Sequence, residues 1–263
     1  MRRADLPLHT SATQLGTYAS CPRRYAYRYV EHLAPEVRAP GLALGSAVHS
    51  TIGWWFEQRA TERDVVVEDA VRVLRADLAA ATAFDNMRWG DSSPVLLAEE
   101  GERLVRLFLA AHGELPVQET ELRFDLLVVD PDTGTPLPRP LVGYFDVELA
   151  TGNVIELKTV RRAYAETTLA TNIQFAAYRT AARYLGVDVE VMALVRNRVP
   201  RIQHVVLPHD RDVSRWFMRA ASQIERAILA GHFPPAPGSS CASCEYRGAC
   251  LGVEAEAADA EAA

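Results

Sequence analysis

The sequence predicts a mixed α/β domain with a helical addition on its N-terminal side. Its 263 residues suit one large domain, or one domain with an insertion, and can bury a substantial core. Apolar residues recur at helical spacing up to about residue 111, and the alternation typical of strands begins at Val117. Beyond residue 160 the pattern runs helix, strands, helix, which indicates a sheet flanked by helices.

The boundaries of the predicted elements follow from capping and turn residues. A capping box, with Ser11 as N-cap and Gln14 as third helical residue, starts a helix that should continue through Cys21 to Arg28. Prolines near residues 35 and 40 interrupt the chain before the second helix. The further predicted elements are a helix at 44–60, a helical pattern at 67–111 divided by a loop at 88–94, strands at 117–129, 141–149 and 153–160, a helix at 171–185, strands at 189–196 and 201–207, and a helix at 213–230.

Composition restricts the class of protein more than it identifies a function. No apolar run approaches the length of about 18 residues that a membrane span needs, so we expect a soluble cytoplasmic protein without a membrane partner. The net charge of −6 does not advertise nucleic-acid binding, but basic patches are local and catalytic carboxylates themselves lower the total. In a reducing cytoplasm the four cysteines are better interpreted as metal ligands or free thiols than as disulfides.

Two carboxylates and a lysine are expected to meet on neighbouring strands. Glu156 and Lys158 are two residues apart in one strand and therefore project from the same face. If the preceding strand pairs with it, Asp146 lies opposite them, and two converging carboxylates suit Mg²⁺ or Mn²⁺. The backbone carbonyl of Leu157 is a natural further ligand, and the lysine could offset charge during phosphodiester hydrolysis. Taken alone, a Glu-x-Lys pair is more often an ordinary surface ion pair.

Four other polar residues gain weight only from their order along the chain. Gln174 and Tyr178 are four residues apart and share one helix face. His49 lies in an apolar helix, and Glu121 alternates with apolar residues on the first strand. Each of these residues, taken singly, is more often structural than functional.

The complete ordered set resembles the RecB-like branch of the PD-(D/E)XK nucleases, from about residue 11 to residue 252. The resemblance implies a restriction-endonuclease-like α/β core with a mixed central sheet. It is carried by the segments Gly45-Ser-Ala-Val-His49, Glu121-Leu-Arg-Phe124, Gly143-Tyr-Phe-Asp146, Glu156-Leu-Lys158 and Gln174-x3-Tyr178. In the third segment Tyr-Phe replaces the more usual small or branched pair, which leaves the carboxylate in place.

The resemblance also implies a role for each residue. Asp146 and Glu156 would bind the metal, with His49 as an additional ligand, and Lys158 would be the catalytic lysine. Glu121 would support the metal site, either directly or through a bridging water. Gln174 and Tyr178 would position the DNA backbone or the lysine.

The cysteines form one distant residue and a C-terminal trio: Cys21, Cys241, Cys244 and Cys250. Four thiolates suit either tetrahedral Zn²⁺ or an iron–sulfur cluster, and the residues alone leave both open. The spacing resembles the 4Fe–4S cluster of AddB and Cas-four type nucleases, which implies a structural cluster that joins the two ends of the chain.

These interpretations give an expected organisation and function. Residues 1–10 would be an extension, 11–252 a nuclease domain with a helical insertion at about 65–113 and a cluster segment at 239–252, and 253–263 a disordered tail. The expected activity is that of a metal-dependent DNA exonuclease in recombination, repair or phage DNA processing. It would act on single-stranded or frayed ends, with a helicase or recombinase as a partner. The alternatives are a prespacer-processing nuclease that works with a CRISPR integrase, and a non-catalytic DNA-binding scaffold.

Overall fold

A five-stranded mixed sheet lies between two layers of helices in the computed structural model, which describes residues 6–61, 63–84 and 86–252. The strands lie in chain order across the sheet, and only β3 and β4 run parallel. A helical crossover joins these two, as parallel neighbours require. The predicted α/β class is therefore confirmed. The strands are β1 Val117–Leu126, β2 Leu141–Leu149, β3 Val154–Val160, β4 Val189–Val195 and β5 Arg201–Leu207.

Nine α-helices occur in the described part of the chain, and most of them cover one of the two faces of the sheet. Helices α1, α7 and α8 pack on one face, around Phe145, Phe175 and Phe217. Helices α3, α4 and α5 pack on the other, around Ile155 and Leu157. The helices are α1 Ala12–Ser20, α2 Pro22–Tyr29, α3 Pro40–Ala60, α4 Val67–Ala81, α5 Pro94–His112, α6 Glu166–Thr171, α7 Ile173–Leu185, α8 Arg211–Leu229 and α9 Arg247–Leu251.

The predicted first helix is in fact two helices, because Pro22 ends the first and starts the second. Cys21 is extended, with φ −161° and ψ 110°, and is both the C-cap of α1 and the N-cap of α2. A residue before proline avoids the helical conformation, and proline suits the first helical position. The Ser11 side chain accepts from the Gln14 amide as predicted, at 3.2 Å. The reciprocal half of the capping box is absent, since the Gln14 Oε1 atom is buried without a partner among the described residues.

Several further boundaries differ from the prediction, among them the end of α4 at Ala81 rather than near residue 88. Helix α3 begins at Pro40 rather than at residue 44, because proline at a first helical position costs no hydrogen bond. A short helix, α6, precedes α7, and Asn172 separates them as the N-cap of α7. Strand β1 ends at Leu126 rather than 129. The predicted tail, 253–263, and the first five residues of the predicted extension lie outside the described residues.

The first two strands exchange faces at the middle of their pairing. Phe145 packs with the α7 layer, whereas Val147, two residues later on the same strand, packs with the α3 layer. On the partner strand, the Thr120 hydroxyl donates to Glu57 of α3, but Leu122 packs with the α7 layer. Glu121 lies between them with a left-handed φ of 55°, which reverses the alternation of β1 at this point.

The segment before α1 completes the edge of β2 that β3 leaves open. The Thr10 amide donates to the carbonyl of Pro140, and the Val142 amide donates to the carbonyl of Thr10, both at 2.9 Å. Nearby, the buried Arg139 guanidinium makes two bonds to Glu225 of α8, of 2.6 and 2.7 Å. These contacts fix the chain at the entrance to α1. No helix of the described ranges is long and apolar enough to cross a membrane.

Candidate active site

The candidate site lies where β2 and β3 separate. The two strands pair only through Val147 with Ile155 and Glu148 with Val154. Beyond these pairs the backbone hydrogen bonds between β2 and β3 stop. The Leu157 amide, which would have continued them, donates instead to the Asp146 Oδ2 atom at 2.6 Å. The N–H and C=O of a strand residue point to the same side, so the carbonyl of Leu157 also faces this gap. We call this gap, bounded by Asp146 and Leu157, the fork.

Glu156 and Lys158 form an ion pair on the face of β3 that meets α7. The side chain of Glu156 is buried and its Oε1 accepts from the Lys158 ammonium, which is 18% exposed. The other oxygen, Oε2, is buried and has no hydrogen-bond partner among the described residues. A buried carboxylate oxygen without a partner is costly, so this atom is a ready ligand for a cation or a water.

Burial and neighbouring charges move the two carboxylates in opposite directions. Burial, together with the charge of Asp146, outweighs Lys158 and raises the pKa of Glu156 to about 7. Burial also disfavours the charged form of Asp146, but His49, Lys158 and the Leu157 amide hold its pKa below the ordinary value. A pair of titratable groups with such separated pKa values is typical of a catalytic site.

The lysine is kept charged in a largely apolar setting. Burial lowers the pKa of Lys158, but the carboxylates of Glu156 and Asp146 outweigh it and raise the pKa above the ordinary value. Its Nζ lies 5.6 Å from the centre of the Tyr178 ring, within cation–π range. Lys158 is therefore available as a fixed positive charge and hydrogen-bond donor.

His49 approaches the fork from α3, on the opposite face from α7. Its Nδ1 lies 3.5 Å from the Asp146 Oδ1 atom, and its Nε2 is buried without a partner among the described residues. Helix α3 packs on β3 at this height: a Cβ on Gly45, one turn earlier, would lie at an ordinary contact distance of 4.0 Å from Thr159. This packing brings α3, and with it the imidazole, to the carboxylate.

Helix α7 presents the predicted pair Gln174 and Tyr178. The Asn172 side chain accepts from the amides of Gln174 and Phe175, at 2.8 and 3.2 Å, and thereby fixes the start of the helix. The Gln174 Nε2 atom lies 3.3 Å from the Tyr178 hydroxyl and donates to it. Burial, with Glu156 nearby, raises the pKa of Tyr178, so the phenol stays protonated and can act as a donor.

A glycine is required behind these residues. Gly143 pairs with Phe124 across the first two strands, and a Cβ at Gly143 would fall within the Phe124 ring. That ring lies 5.0 Å from Phe145 and 6.5 Å from Tyr178, measured between ring centres. The glycine of the Gly-Tyr-Phe-Asp segment therefore allows an aromatic cluster that supports Tyr178.

Glu121 is the predicted site residue that the structure leaves apart. The pairs on either side of it, Thr120 with Val147 and Leu122 with Phe145, place it across from Asp146. Its side chain is exposed, however, and makes no hydrogen bond or ion pair within the described ranges. Its visible contribution is its left-handed backbone, which turns the strands beside Asp146.

The site has the donor atoms for a divalent cation, although its side chains are not gathered around one. Among the described residues, no three His, Cys, Asp or Glu side chains lie close enough to hold a metal ion. Within the described ranges the Glu156 Oε2 and His49 Nε2 atoms have no hydrogen-bond partner, the His49 ring lies against Asp146 through Nδ1, and the Leu157 carbonyl faces the same gap as its amide. Carboxylate, carbonyl and imidazole donors fit Mn²⁺, and the oxygen donors fit Mg²⁺.

The cysteine segment docks beside α2, through residues other than its cysteines. Glu245 pairs with Arg24 at 2.9 Å, and the Tyr246 ring lies 5.5 Å from that of Tyr27. The Glu36 carboxylate accepts the amides of residues 248 and 249, at 2.9 and 2.8 Å. The cysteine segment therefore lies against α2 and the loop that follows it, but within the described ranges the four thiols are not gathered into a metal group, so the predicted common metal centre remains a prediction.

The thiols themselves differ in exposure. Cys241 and Cys250 are exposed, whereas Cys21 and Cys244 are half-buried. Burial raises the pKa of the Cys244 thiol, and the neighbouring Cys21 contributes to the same direction. The Cys241 Sγ atom accepts from the Gly238 amide of its own loop at 3.4 Å.

Sequence reasoning missed Tyr164, which lies close to the lysine. Burial raises the pKa of Tyr164, and Lys158 opposes this shift. The Gln203 side chain of β5 holds the backbone of Tyr164 through two bonds of 2.8 and 3.0 Å. Its ring stacks edge-on against Phe175 at 4.9 Å. A tyrosine in an irregular loop has no periodic neighbours, so only the short distance from the end of β3 could have indicated it.

Comparison with known proteins places the chain in a family. The sequence profile of the PD-(D/E)XK nuclease superfamily matches residues 9–251. The crystal structure of a presumed exonuclease from Eubacterium rectale superposes with a TM-score of 0.59, over 91% of this chain and 88% of that chain, at 11% identity. The crystal structure of SSO0001 gives a TM-score of 0.42, over 91% and 84% of the two chains, at 14% identity, a score that supports no argument.

No curated protein matches the sequence significantly. At 11% identity the likeness to the Eubacterium rectale structure concerns the fold alone. The family match spans almost the whole chain and includes every element of the sheet. From the sequence profile and the five-stranded mixed sheet with helices on both faces, the chain belongs to the PD-(D/E)XK nuclease superfamily.

Proposed function

We propose that this chain is a divalent-metal-dependent deoxyribonuclease that hydrolyses phosphodiester bonds at the fork. One observation carries the proposal: the buried Glu156 carboxylate pairs with Lys158 through one oxygen, and its other oxygen, near the Tyr178 hydroxyl, accepts no hydrogen bond of good geometry from the described residues, although a structural ion pair would satisfy both oxygens. Buried polar groups left without partners are rare in structural roles and common in sites that bind a ligand.

Each residue of the site has a proposed task. Asp146, Glu156, the Leu157 carbonyl and His49 would hold the cation, which when bound supplies a Lewis acid next to the phosphate. Lys158 would donate to the attacking water or to the phosphate oxygens, where negative charge increases during the reaction. Gln174 would hold the Tyr178 hydroxyl, and the tyrosine in turn would keep the lysine in place.

We propose further that the chain is an exonuclease of the RecB-like branch. The order of its motifs supports this, as does the fold it shares with the presumed exonuclease of Eubacterium rectale. Helices α4 and α5, which pack with α3 on one face of the sheet, make this chain longer than compact prespacer-processing nucleases of the Cas-four type. This favours a stand-alone exonuclease, with a CRISPR-associated role as the alternative.

The four cysteines are proposed to bind a structural 4Fe–4S cluster. The docking of segment 239–252 beside α2, through Arg24, Tyr27 and Glu36, supports a common centre for both ends. Purified protein should contain iron and sulfide in near-equal amounts and absorb broadly in the visible range. Stoichiometric zinc in a colourless sample would instead establish a zinc site.

The nuclease proposal is tested with labelled DNA in Mg²⁺ or Mn²⁺. Linear single strands, linear duplexes and circular DNA should be compared, since an exonuclease leaves the circles intact. The wild type should degrade linear DNA, and Asp146→Asn should lower the rate by about a thousandfold. Asp188→Asn is the matched control, because the Asp188 side chain is 69% exposed and lies outside the fork. Equal rates for wild type and Asp146→Asn would refute the proposal.

A further inference from the structure

A cavity of about 420 Å³ lies next to the candidate active site and shares Tyr178 with it. One wall is formed by Gly143 and Tyr144 of β2, and another by residues 11–13 at the start of α1. Tyr178 is also the residue whose hydroxyl receives the Gln174 amide beside Glu156. A molecule in this cavity would therefore be separated from the fork only by the Tyr178 side chain.

The lining of the cavity suits an anion. It contains Arg123 and His9 and the hydroxyl groups of Ser11 and Thr13, and it contains no carboxylate. The Arg123 guanidinium is 57% exposed and is held on one edge by Asp125, which lies outside the lining. Its Nη2 donates to Asp125 at 3.1 Å, and the second edge faces no carboxylate among the described residues. A guanidinium held on one edge can still bind a phosphate with the other.

Buried polar atoms next to this wall are left without partners. Ser11 already accepts the Gln14 amide, so the Ala12 and Thr13 amides are the remaining donors of the first turn of α1. On either side of these residues, Thr10 is fully buried and Gln14 is 6% exposed. The Thr10 Oγ1 and Gln14 Oε1 atoms have no hydrogen-bond partner in the described ranges. Neither residue lines the cavity itself: the Thr10 hydroxyl can donate to an anion or a water, whereas the Gln14 oxygen is an acceptor that only a donor such as water would satisfy.

The cavity also offers an aromatic surface. Tyr144 pairs with Arg123 across the first two strands, and 49% of its surface is exposed. Proteins that bind single-stranded nucleic acids often combine a basic side chain, which contacts the phosphate, with an exposed aromatic ring on which a base can stack. Arg123 and Tyr144 offer this combination. The volume lies within the range of small-ligand sites and admits one nucleotide rather than a base pair.

We propose that this cavity binds one nucleotide of a single DNA strand adjacent to the bond that is cut. The phosphate binds Arg123 and the start of α1, and the base packs against Tyr144. The inference rests on the proposed nuclease function and adds the strand form of the substrate and two residues that position it.

The test measures binding without cleavage. Fluorescence anisotropy of a labelled oligothymidine is followed in EDTA at several salt concentrations. Arg123→Gln should weaken binding about tenfold and lower the slope of log affinity against log salt by about 0.7, the value for one phosphate contact with a single strand. Tyr144→Leu should weaken binding about fivefold or more with an unchanged salt slope, since stacking releases no counterions.

Two controls keep the result interpretable. Arg72→Gln on α4 removes an arginine that is 72% exposed and also paired within its own element, and it should change neither affinity nor slope. Arg123→Lys keeps the charge and should restore the slope, and thermal melting of every variant checks that the protein is folded.

The outcomes separate this inference from the nuclease proposal. If Arg123→Gln and Tyr144→Leu bind as the wild type does, the cavity does not hold DNA, whereas the effect of Asp146→Asn on cleavage still decides the nuclease function. If folded wild type binds no single strand but cleaves duplex DNA, the cavity inference is overturned and the nuclease stands. If the wild type binds and the two variants weaken binding as described, the cavity is a nucleotide site even should cleavage require another metal.

Discussion

The fork and the cysteine segment differ in how their functional groups are held. At the fork, the functional side chains contact each other and the backbone directly, as in the bond from the Leu157 amide to Asp146 and the pair of Glu156 with Lys158. In segment 239–252, contacts are made by Glu245 and Tyr246, while Cys241 and Cys250 stay exposed. The strands therefore fix the side chains of the fork before any ligand binds. In the cysteine segment, Glu245 and Tyr246 hold the segment against α2, and its thiols take no part in those contacts.

This difference predicts that the two regions fail in separate ways. Loss of a group at the fork should abolish chemistry in a protein that still folds. Loss of a cysteine should loosen the ends of the chain and affect chemistry only through stability. The first two predictions below would exchange their results if the comparison were wrong.

The largest expected effect is that of Lys158→Met. The substitution keeps the length of the side chain and removes its charge, so cleavage should slow by about a thousandfold while the fold survives. Survival is expected because burial already raises the pKa of Glu156 to about 7, and the carboxyl can remain protonated without its partner. Single-turnover rates and thermal melting measure the two effects. Arg72→Met, at a side chain of α4 that is 72% exposed and far from the fork in the sequence, is the control and should cleave normally.

Cys244→Ser should affect stability instead. If four thiolates bind one cluster, this variant loses a link between residues more than two hundred positions apart and is destabilised by about 2–4 kcal/mol, by analogy with other cross-links. Limited proteolysis of the proline-rich stretch 233–238 should accelerate, and bound iron should fall. Ser243→Ala, at the adjacent exposed position, should change neither. Unaltered iron content in Cys244→Ser would contradict the cluster.

Gly143→Ala is expected to act on both stability and activity. An added Cβ meets the Phe124 ring, and overpacking of this kind costs about 1–3 kcal/mol. Because Phe124 contacts Phe145 and Tyr178, activity should fall further than stability alone explains. Denaturant unfolding and cleavage rates at a temperature where the variant is folded give the comparison. Gly53→Ala, on α3 with no atom within 4 Å of its added Cβ, should leave activity unchanged and the fold equally stable or more so.

The last expected effect is a pH dependence of the metal-free protein. The pKa of Glu156 is raised from 4.5 to about 7, so the folded protein binds more protons than the unfolded chain between these two values. Stability is therefore greatest below this window and declines as pH rises through it, by up to about 1.4 kcal/mol per pH unit. Glu156→Gln should remove the decline, which denaturant unfolding in EDTA at several pH values would show. An identical slope in the variant would assign the titration to another group.

Most of the fold followed from the amino-acid pattern, because its strands and helices have regular apolar spacing and identifiable caps. The hairpin of β2 and β3, the Ser11 cap and the stop of α7 at Gly186 were all predicted, and the structure contains them. The break at Pro22 was missed because the apolar period continues through it, and one backbone constraint overrides that period.

The site was predicted in its residue types and only partly in its geometry. Asp146, Glu156 and Lys158 meet because strand alternation and one hairpin determine their positions. The exposure of Glu121 could not be predicted, since its left-handed backbone reverses the alternation on which the expectation depended. Tyr164 and the cavity by α1 depend on contacts between elements far apart in sequence, which no local pattern contains.

The short pairing of β2 with β3 leaves a gap in the sheet, and the candidate site lies in this gap. Only two residue pairs join these strands, and the backbone that would have continued the ladder instead meets the Asp146 carboxylate. Substitutions that closed the gap would add hydrogen bonds and raise the melting temperature, and they would also remove the space in which, under the proposed function, the phosphate and the cation meet. Selection for thermal stability alone is therefore expected to yield variants with a higher melting temperature and no nuclease activity.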